Sequence, residues 1–247
     1  MCRIFAYLGP ETALATLLLD PVHSLEVQSY RPREMATALM NADGFGVAWY
    51  TPRGEAPARY RSVLPMWADE NFPELARALG SGCVLANVRS ATPGVGFGVD
   101  NTQPFVRGRW SFTHNGYLEE FRAGVMRPLR ASLGDAGYGA VRGTSDSEHL
   151  FALFVDALDA GATPADALVA VRERCRELLG DRAALLSLAA TDGDTLVALR
   201  SAIHAEAPTL YQRQAQGAHW LASEPPDEAP EWRPVPVDQP LTLERIP

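Results

Sequence analysis

The chain has 247 residues, 47% hydrophobic and 21% charged, with a formal net charge of -8 at neutral pH. That length suits one large domain or two small ones, and the acidic balance argues against nucleic acid and anionic membranes as partners. Cys2, Cys83 and Cys175 are too far apart for a disulfide framework or a paired-cysteine zinc site.

No apolar stretch is long enough to span a membrane. The N-terminus lacks the basic-then-apolar pattern of a signal peptide. These features predict a cytoplasmic protein, whose thiols stay reduced.

In chain order, Cys2–Leu8 reads as a strand that Pro10 and Glu11 end. Thr12–Leu19 reads as a short helix, Pro21–Ser29 as loop, and Pro32–Met40 as a helix with proline in its first turn. Asn41-Ala42-Asp43-Gly44 is a turn. Phe45–Tyr50 and Ala58–Leu64 pair across Thr51-Pro52-Arg53-Gly54. A helix over Glu70–Leu79 precedes a buried strand over Cys83–Val88.

Ser90–Gln103, rich in glycine and polar residues, reads as a long functional loop. Trp110–Thr113 is a short strand, Met126–Leu133 a helix, and Gly134–Gly143 a flexible connection. Ser145–Leu158 and Thr163–Leu179 carry apolar residues at helical spacing. Strands return over Ala184–Ala190, Thr195–Ala202, Thr209–Tyr211 and Ala218–Ser223. Glu224–Pro240 is mostly turns, and Leu241–Ile246 is a final edge strand. No linker separates two domains, so residues 1–247 read as one α+β unit of packed sheets with helices outside.

Four short motifs carry chemistry. If Met1 is removed, Cys2 holds a thiol and a free α-amine on one residue. The amine titrates near ~7.7–8.0 and the thiol near ~8.5, so one can take the proton of the other. Arg89, in Arg89-Ser90-Ala91-Thr92, ends an apolar strand, where a guanidinium can grip a carboxylate bidentately. In His114-Asn115-Gly116, a side-chain amide and a backbone N–H can point at one oxygen, the parts of an oxyanion hole. An ordinary Asn-Gly turn is the alternative. Ser145-Asp146-Ser147-Glu148 has the form of a capping box, and Asp146 suits the helix dipole while also being able to hold an ammonium.

Together these groups describe a ligand with both α-amino-acid groups, attacked at an acyl carbon further out. Glutamine or another γ-glutamyl compound fits. No histidine ligand spacing is present, so no metal and no cofactor is expected. Gly94-Val95-Gly96-Phe97-Gly98 lacks the spacing of a nucleotide loop. Trp67 and Phe97, aromatics in loop-like segments, either line a leaving-group pocket or are core. Tyr30, Asp43, Asp69 and Asp100 lie in similar segments.

Met1-Cys2, Arg89-Ser90-Ala91-Thr92, His114-Asn115-Gly116 and Ser145-Asp146-Ser147 come in an order that resembles the class II glutamine amidotransferase domain of the N-terminal-nucleophile hydrolases. Further stretches extend the likeness nearly end to end, among them Val27-Gln28-Ser29-Tyr30, Leu39–Gly44 and Leu221–Pro225. The resemblance implies a four-layer αββα sandwich of two mostly antiparallel sheets. It implies that Cys2 is the nucleophile and its α-amine the base, with Asn115 and Gly116 as the oxyanion hole. Arg89, Thr92, His114 and Asp146 become substrate-binding residues. The implied partner is a small γ-glutamyl substrate, and a homodimer is possible. A glutaminase feeding ammonia to a partner, or a non-catalytic relative, are the alternatives.

Overall fold

The computed structural model describes residues 2–35, 39–52, 54–91, 96 and 98–246. One seven-stranded sheet contains β1 (Arg3–Ala13), β2 (Phe45–Trp49), β3 (Ala58–Ser62), β4 (Gly80–Val88), β9 (Tyr211–Ala215), β10 (Ala218–Ala222) and β11 (Arg233–Pro234), in the order β11-β9-β10-β1-β4-β2-β3. A five-stranded sheet contains β5 (Phe105–Arg107), β6 (Trp110–Leu118), β7 (Ala184–Thr191), β8 (Thr195–Ile203) and β12 (Pro240–Glu244), in the order β12-β8-β7-β6-β5. The ladders between these strands are antiparallel. The helices are α1 (Leu14–Leu18), α2 (Leu25–Tyr30), α3 (Phe72–Ala78), α4 (Met126–Ala131), α5 (Asp135–Ala140), α6 (Asp146–Asp159) and α7 (Pro164–Leu179).

Strand alternation builds the layers. On β1, Ile4, Ala6 and Leu8 point inward with Leu85 against Ala189, Leu196 and Ala198 of the other sheet. Phe5 and Tyr7, on the opposite pleat, pack with Leu14, Leu18 and Phe72 of α1 and α3. Across the molecule, Leu186, Leu188 and Val197 meet Leu150, Phe154, Val171 and Leu179 of α6 and α7. Three apolar layers thus separate helices, sheet, sheet and helices. This is the expected α+β sandwich, with both faces of each central strand buried. Among the described residues no helix is long and apolar enough to cross a membrane.

Several local expectations are corrected. Pro10 and Glu11 do not end β1, which absorbs them as a register shift between Leu8 and Thr12. The stretch read as loop holds α2, because Ser24 caps it through Val27 N at 3.3 Å and Glu26 lies in its first turn. The described residues of 32–40 are not helical. The backbone N–H groups of Arg33 and Glu34 instead donate to the Glu224 carboxylate, at 2.8 and 3.1 Å. Gly134–Gly143 contains α5, and the short strand at Trp110 continues to Leu118.

Candidate active site

β1 and β4 run antiparallel with Arg3 opposite Val88, so Cys2 and Arg89 flank the end of that ladder. The Cys2 thiol is buried and faces the Ser90 carbonyl at 4.0 Å. Its own carbonyl accepts from Arg3 Nε at 2.7 Å. Arg3 Nη1 in turn donates to Glu224 at 2.9 Å, and His23 Nε2 donates to the other Glu224 oxygen at 2.7 Å. Burial alone would raise the Glu224 carboxyl. The hydrogen bonds from His23 and the Arg33 and Glu34 backbone, with the Arg3 charge, outweigh it and hold the group below the usual carboxylate range. A buried ion pair, with its carboxylate held by four donors, therefore anchors the residue behind Cys2. The three cysteines are free. Burial pushes the Cys83 and Cys175 thiols up to about 12, so neither makes a thiolate near neutral pH.

Arg89 is only 4% exposed. Among the described residues its guanidinium meets the Asp43 carbonyl through Nη1 at 3.3 Å and no carboxylate. Asp43 braces the same corner by accepting from Ala91 N at 2.7 Å. Thr92 and Phe97, expected at the site and its rim, lie outside the described residues.

His114-Asn115-Gly116 is not a turn after a strand but the middle of β6, paired to β7 with Asn115 opposite Ser187 and Gly116 opposite Leu186. Beyond β5 the other edge of β6 is closed by side chains. His114 N donates to Gln103 Oε1 at 2.5 Å, and Gln103 Nε2 donates back to His114 O at 2.9 Å. Two turns of the pleat later, Leu118 N donates to Asp146 Oδ2 at 2.9 Å. Backbone N–H groups alternate sides along a strand, so Gly116 N–H points to the same edge, between these anchors. A side chain does not fit there, since a Cβ on Gly116 would lie 1.7 Å from the Leu185 carbonyl oxygen.

Asn115 is fully buried. Its Nδ2 reaches Ser223 Oγ at 3.5 Å, and Ser223 Oγ also accepts from Ile4 N at 2.9 Å. One hydroxyl thus links the oxyanion-type amide to the backbone two residues after Cys2.

The His114 ring is fully buried and both nitrogens are occupied. Nε2–H donates to the Leu185 carbonyl at 2.9 Å, which leaves Nδ1 to accept from Ser147 Oγ at 2.9 Å. Burial pushes the ring below its ordinary value, against the pull of the Asp146 charge, and so favours this neutral form. Both polar atoms of the His114 ring are thus taken up inside the protein, where they join β6 to β7 and α6.

Asp146 is 7% exposed, and its other oxygen accepts from Ser147 N at 2.8 Å. Ser145 Oγ caps Glu148 N at 3.3 Å, as the motif predicts. Glu148 does not close the box. Its oxygens accept from Arg142 N at 3.0 Å and Gly143 N at 2.6 Å, while Asn101 Oδ1 takes the Ser145 N–H at 3.0 Å. Of the other loop acids, Asp69 is buried and accepts from Tyr60 OH at 2.8 Å and Phe72 N at 3.2 Å, a structural duty.

Sequence reasoning gave no role to Arg3, His23, Gln103, Ser223 or Glu224. Arg3 and Glu224 are 221 residues apart, and no spacing rule joins them.

A buried thiol, a buried side-chain amide and a carboxylate beside a strand edge sit together in this sandwich, the fold of amidohydrolases of the N-terminal-nucleophile type. The chain belongs to the class II glutamine amidotransferases, whose family model matches residues 14–216. It is 40% identical to the γ-glutamyl-hercynylcysteine sulfoxide hydrolase of Mycobacterium tuberculosis, over 96% of this chain and 90% of that protein. A solved structure, the glutamine aminotransferase class-II domain protein of Silicibacter pomeroyi, superposes with TM-score 0.70 at 27% identity, covering 98% of this chain and 95% of that one. Glutamine phosphoribosylpyrophosphate amidotransferase from B. subtilis shares the fold, with TM-score 0.61 at 18% identity, over 90% of this chain and 42% of that one.

Proposed function

We propose that this enzyme removes glutamate from γ-glutamyl-hercynylcysteine sulfoxide, with Cys2 as nucleophile. The observation that carries the reading is Arg89, a buried guanidinium beside Cys2 with no carboxylate partner among the described residues. Such a charge is costly unless a ligand pairs it, and the α-carboxylate of a γ-glutamyl group supplies the partner. Thr92 assists from the same loop, and Asp146 takes the α-ammonium with the lone pairs its two backbone contacts leave.

The chemistry follows from these roles. Removal of Met1 frees the Cys2 amine, which accepts the thiol proton. The sulfur attacks the γ-carbonyl carbon, and the negative charge moves to the carbonyl oxygen. Asn115 Nδ2 and Gly116 N–H stabilise that oxyanion. Collapse breaks the C–N bond as the ammonium returns its proton to the leaving amine. Water, deprotonated by the same amine, opens the thioester and releases glutamate and thiol. His114 holds Asn115 and Gly116 in place from behind.

The leaving group carries a trimethylammonium. Tyr30 and Trp67 form an edge-to-face pair 5.7 Å apart, each 39% exposed, and offer the aromatic surface that such a cation prefers. Operation in a reducing compartment, as a monomer or homodimer, completes the reading.

The test compares kcat/KM for the conjugate and for glutamine. A preference of about 100-fold, equivalent to roughly 2.7 kcal/mol of transition-state binding, is expected. Equal use of glutamine would instead make the chain an ammonia-supplying glutaminase.

A further inference from the structure

The inner faces of the two sheets carry apolar and neutral polar residues, while arginines gather at one corner. On edge strand β3, Tyr60 packs outward with the aromatic layer. The alternate residues Arg59 and Arg61 therefore face inward, in register with Ala48 and Gly46. Among the described residues no strand covers them there. The segment leading to β5 crosses instead, admitted by Gly46, where a Cβ would lie 2.1 Å from the Gln103 carbonyl oxygen.

Between this corner, α5 and the start of α6 is a cavity of about 290 Å³. Arg59, Arg61, Arg107 and Arg142 line it, in a protein whose net charge is -8. Arg59 and Arg61 each use Nη1 on carbonyls of the crossing segment, Pro104 at 3.0 Å and Thr102 at 3.1 Å. A guanidinium has five N–H donors, and among the described residues the rest of each fork makes no hydrogen bond. Arg107 reaches Asp159 at 3.6 Å through Nη2, while its Nη1 is buried without a hydrogen-bond partner.

The carboxylates in the wall do not balance these charges. Glu148 and Asp100 set two carboxylates against four arginines, and both Glu148 oxygens already accept from backbone N–H groups. Burial, with the neighbouring Arg61 and Arg142 charges, pushes Arg59 down to about 10 against the pull of Asp100. The remaining wall includes the apolar side chains of Phe105, Phe151 and Val155.

We propose that this cavity is a second binding site, for a small organic anion with a carboxylate or phosphate group and a compact apolar body. The anion meets the free forks of Arg59, Arg61 and Arg142, and its body lies on Phe105 and Phe151. The existence of the site does not depend on the proposed reaction. Its occupant is either a separate metabolite or a carboxylate of the substrate's own leaving group.

The probe is phenyl phosphate, with phenol as the uncharged control, titrated into the full-length protein by calorimetry. Binding of phenyl phosphate but not phenol is expected, weakened at least 10-fold in Arg142→Gln and in Arg59→Gln. Arg142 is exposed and its structural hydrogen bond is through its backbone, so that variant keeps the fold, which its melting temperature verifies. KM for the γ-glutamyl conjugate and for glutamine then separates the sources. A rise for the conjugate alone identifies the leaving group as occupant, and no change in either identifies a separate anion. No binding of phenyl phosphate at millimolar concentration, or equal binding by wild type and both variants, overturns the proposal.

Discussion

Gln103 behaves toward His114 as one more residue of β5: its amide accepts from His114 N at 2.5 Å and donates to His114 O at 2.9 Å. A side chain thus completes a ladder that the backbone has left. The strand edge carrying Asn115 and Gly116 is fixed at that point and open just beyond it. Gln103→Leu removes both bonds and leaves two buried backbone groups unpaired, at about 1–3 kcal/mol each. Urea unfolding is expected to show this loss, with kcat falling alongside it. Unchanged stability would mean the glutamine is dispensable to the edge.

Asn115→Ala is expected to lower kcat by about 10²–10³ with little change in KM, because the lost donor acts on charge that develops during attack. Gly116→Ala is expected to be worse and to destabilise the protein too, since the added methyl meets the Leu185 carbonyl at 1.7 Å. Steady-state kinetics and thermal melts on both variants separate the electrostatic effect from the steric one.

Cys2→Ala is expected to abolish turnover while the melting temperature changes little, because one small side chain at a strand start is lost. Intact mass of the active wild-type enzyme is expected to lack one methionine. Full activity with Met1 retained would exclude the α-amine as base.

Arg89→Lys keeps the charge but loses the two-pronged fork. KM for γ-glutamyl substrates is expected to rise more than kcat falls, corresponding to about 1.5–3 kcal/mol for a charge-assisted bond. Identical kinetics would show that Arg89 serves the Asp43 corner alone.

Acid sensitivity follows from groups whose folded pKa values are depressed, among them His114, His149, His219 and Glu224. For such groups the stabilisation is complete above the unfolded value and disappears as pH falls through the folded one. Stability is therefore expected to be level above pH ~6.5, to decline below it as these histidines take up protons in the unfolded chain, and to decline again below ~4.3 as Glu224 does. Glu224→Gln leaves the Arg3 guanidinium buried beside a neutral group. It is expected to cost about 3–5 kcal/mol at neutral pH and to flatten the lower limb. Denaturation midpoints measured from about pH 2 to 8 test both.

Much of the molecule was legible from local pattern. α6 and α7 announce themselves by apolar residues at helical spacing, and the Ser145 side chain accepts the N–H that the capping motif predicts. The β2–β3 hairpin and β4 follow from β-forming runs bounded by turn residues. The order of Cys2, Arg89, Asn115-Gly116 and Asp146 identified the family before any coordinates.

Tertiary structure decided the rest, wherever a backbone group was satisfied by a distant side chain. Residues 32–40 have helical composition, yet Glu224 holds the Arg33 and Glu34 N–H groups and the described part stays irregular. Asn115-Gly116 has the composition of a turn, yet pairing with β7 on one edge and Gln103 on its His114 neighbour keeps it extended. Ser145 and Glu148 spell a capping box, yet Glu148 turns to Arg142 and Gly143 because Asn101 already takes the Ser145 N–H. Periodicity and capping act within a few residues and can be read along a chain. The competition for a buried hydrogen-bond donor is settled by whichever acceptor the fold brings closest, and that acceptor lay up to 221 residues away.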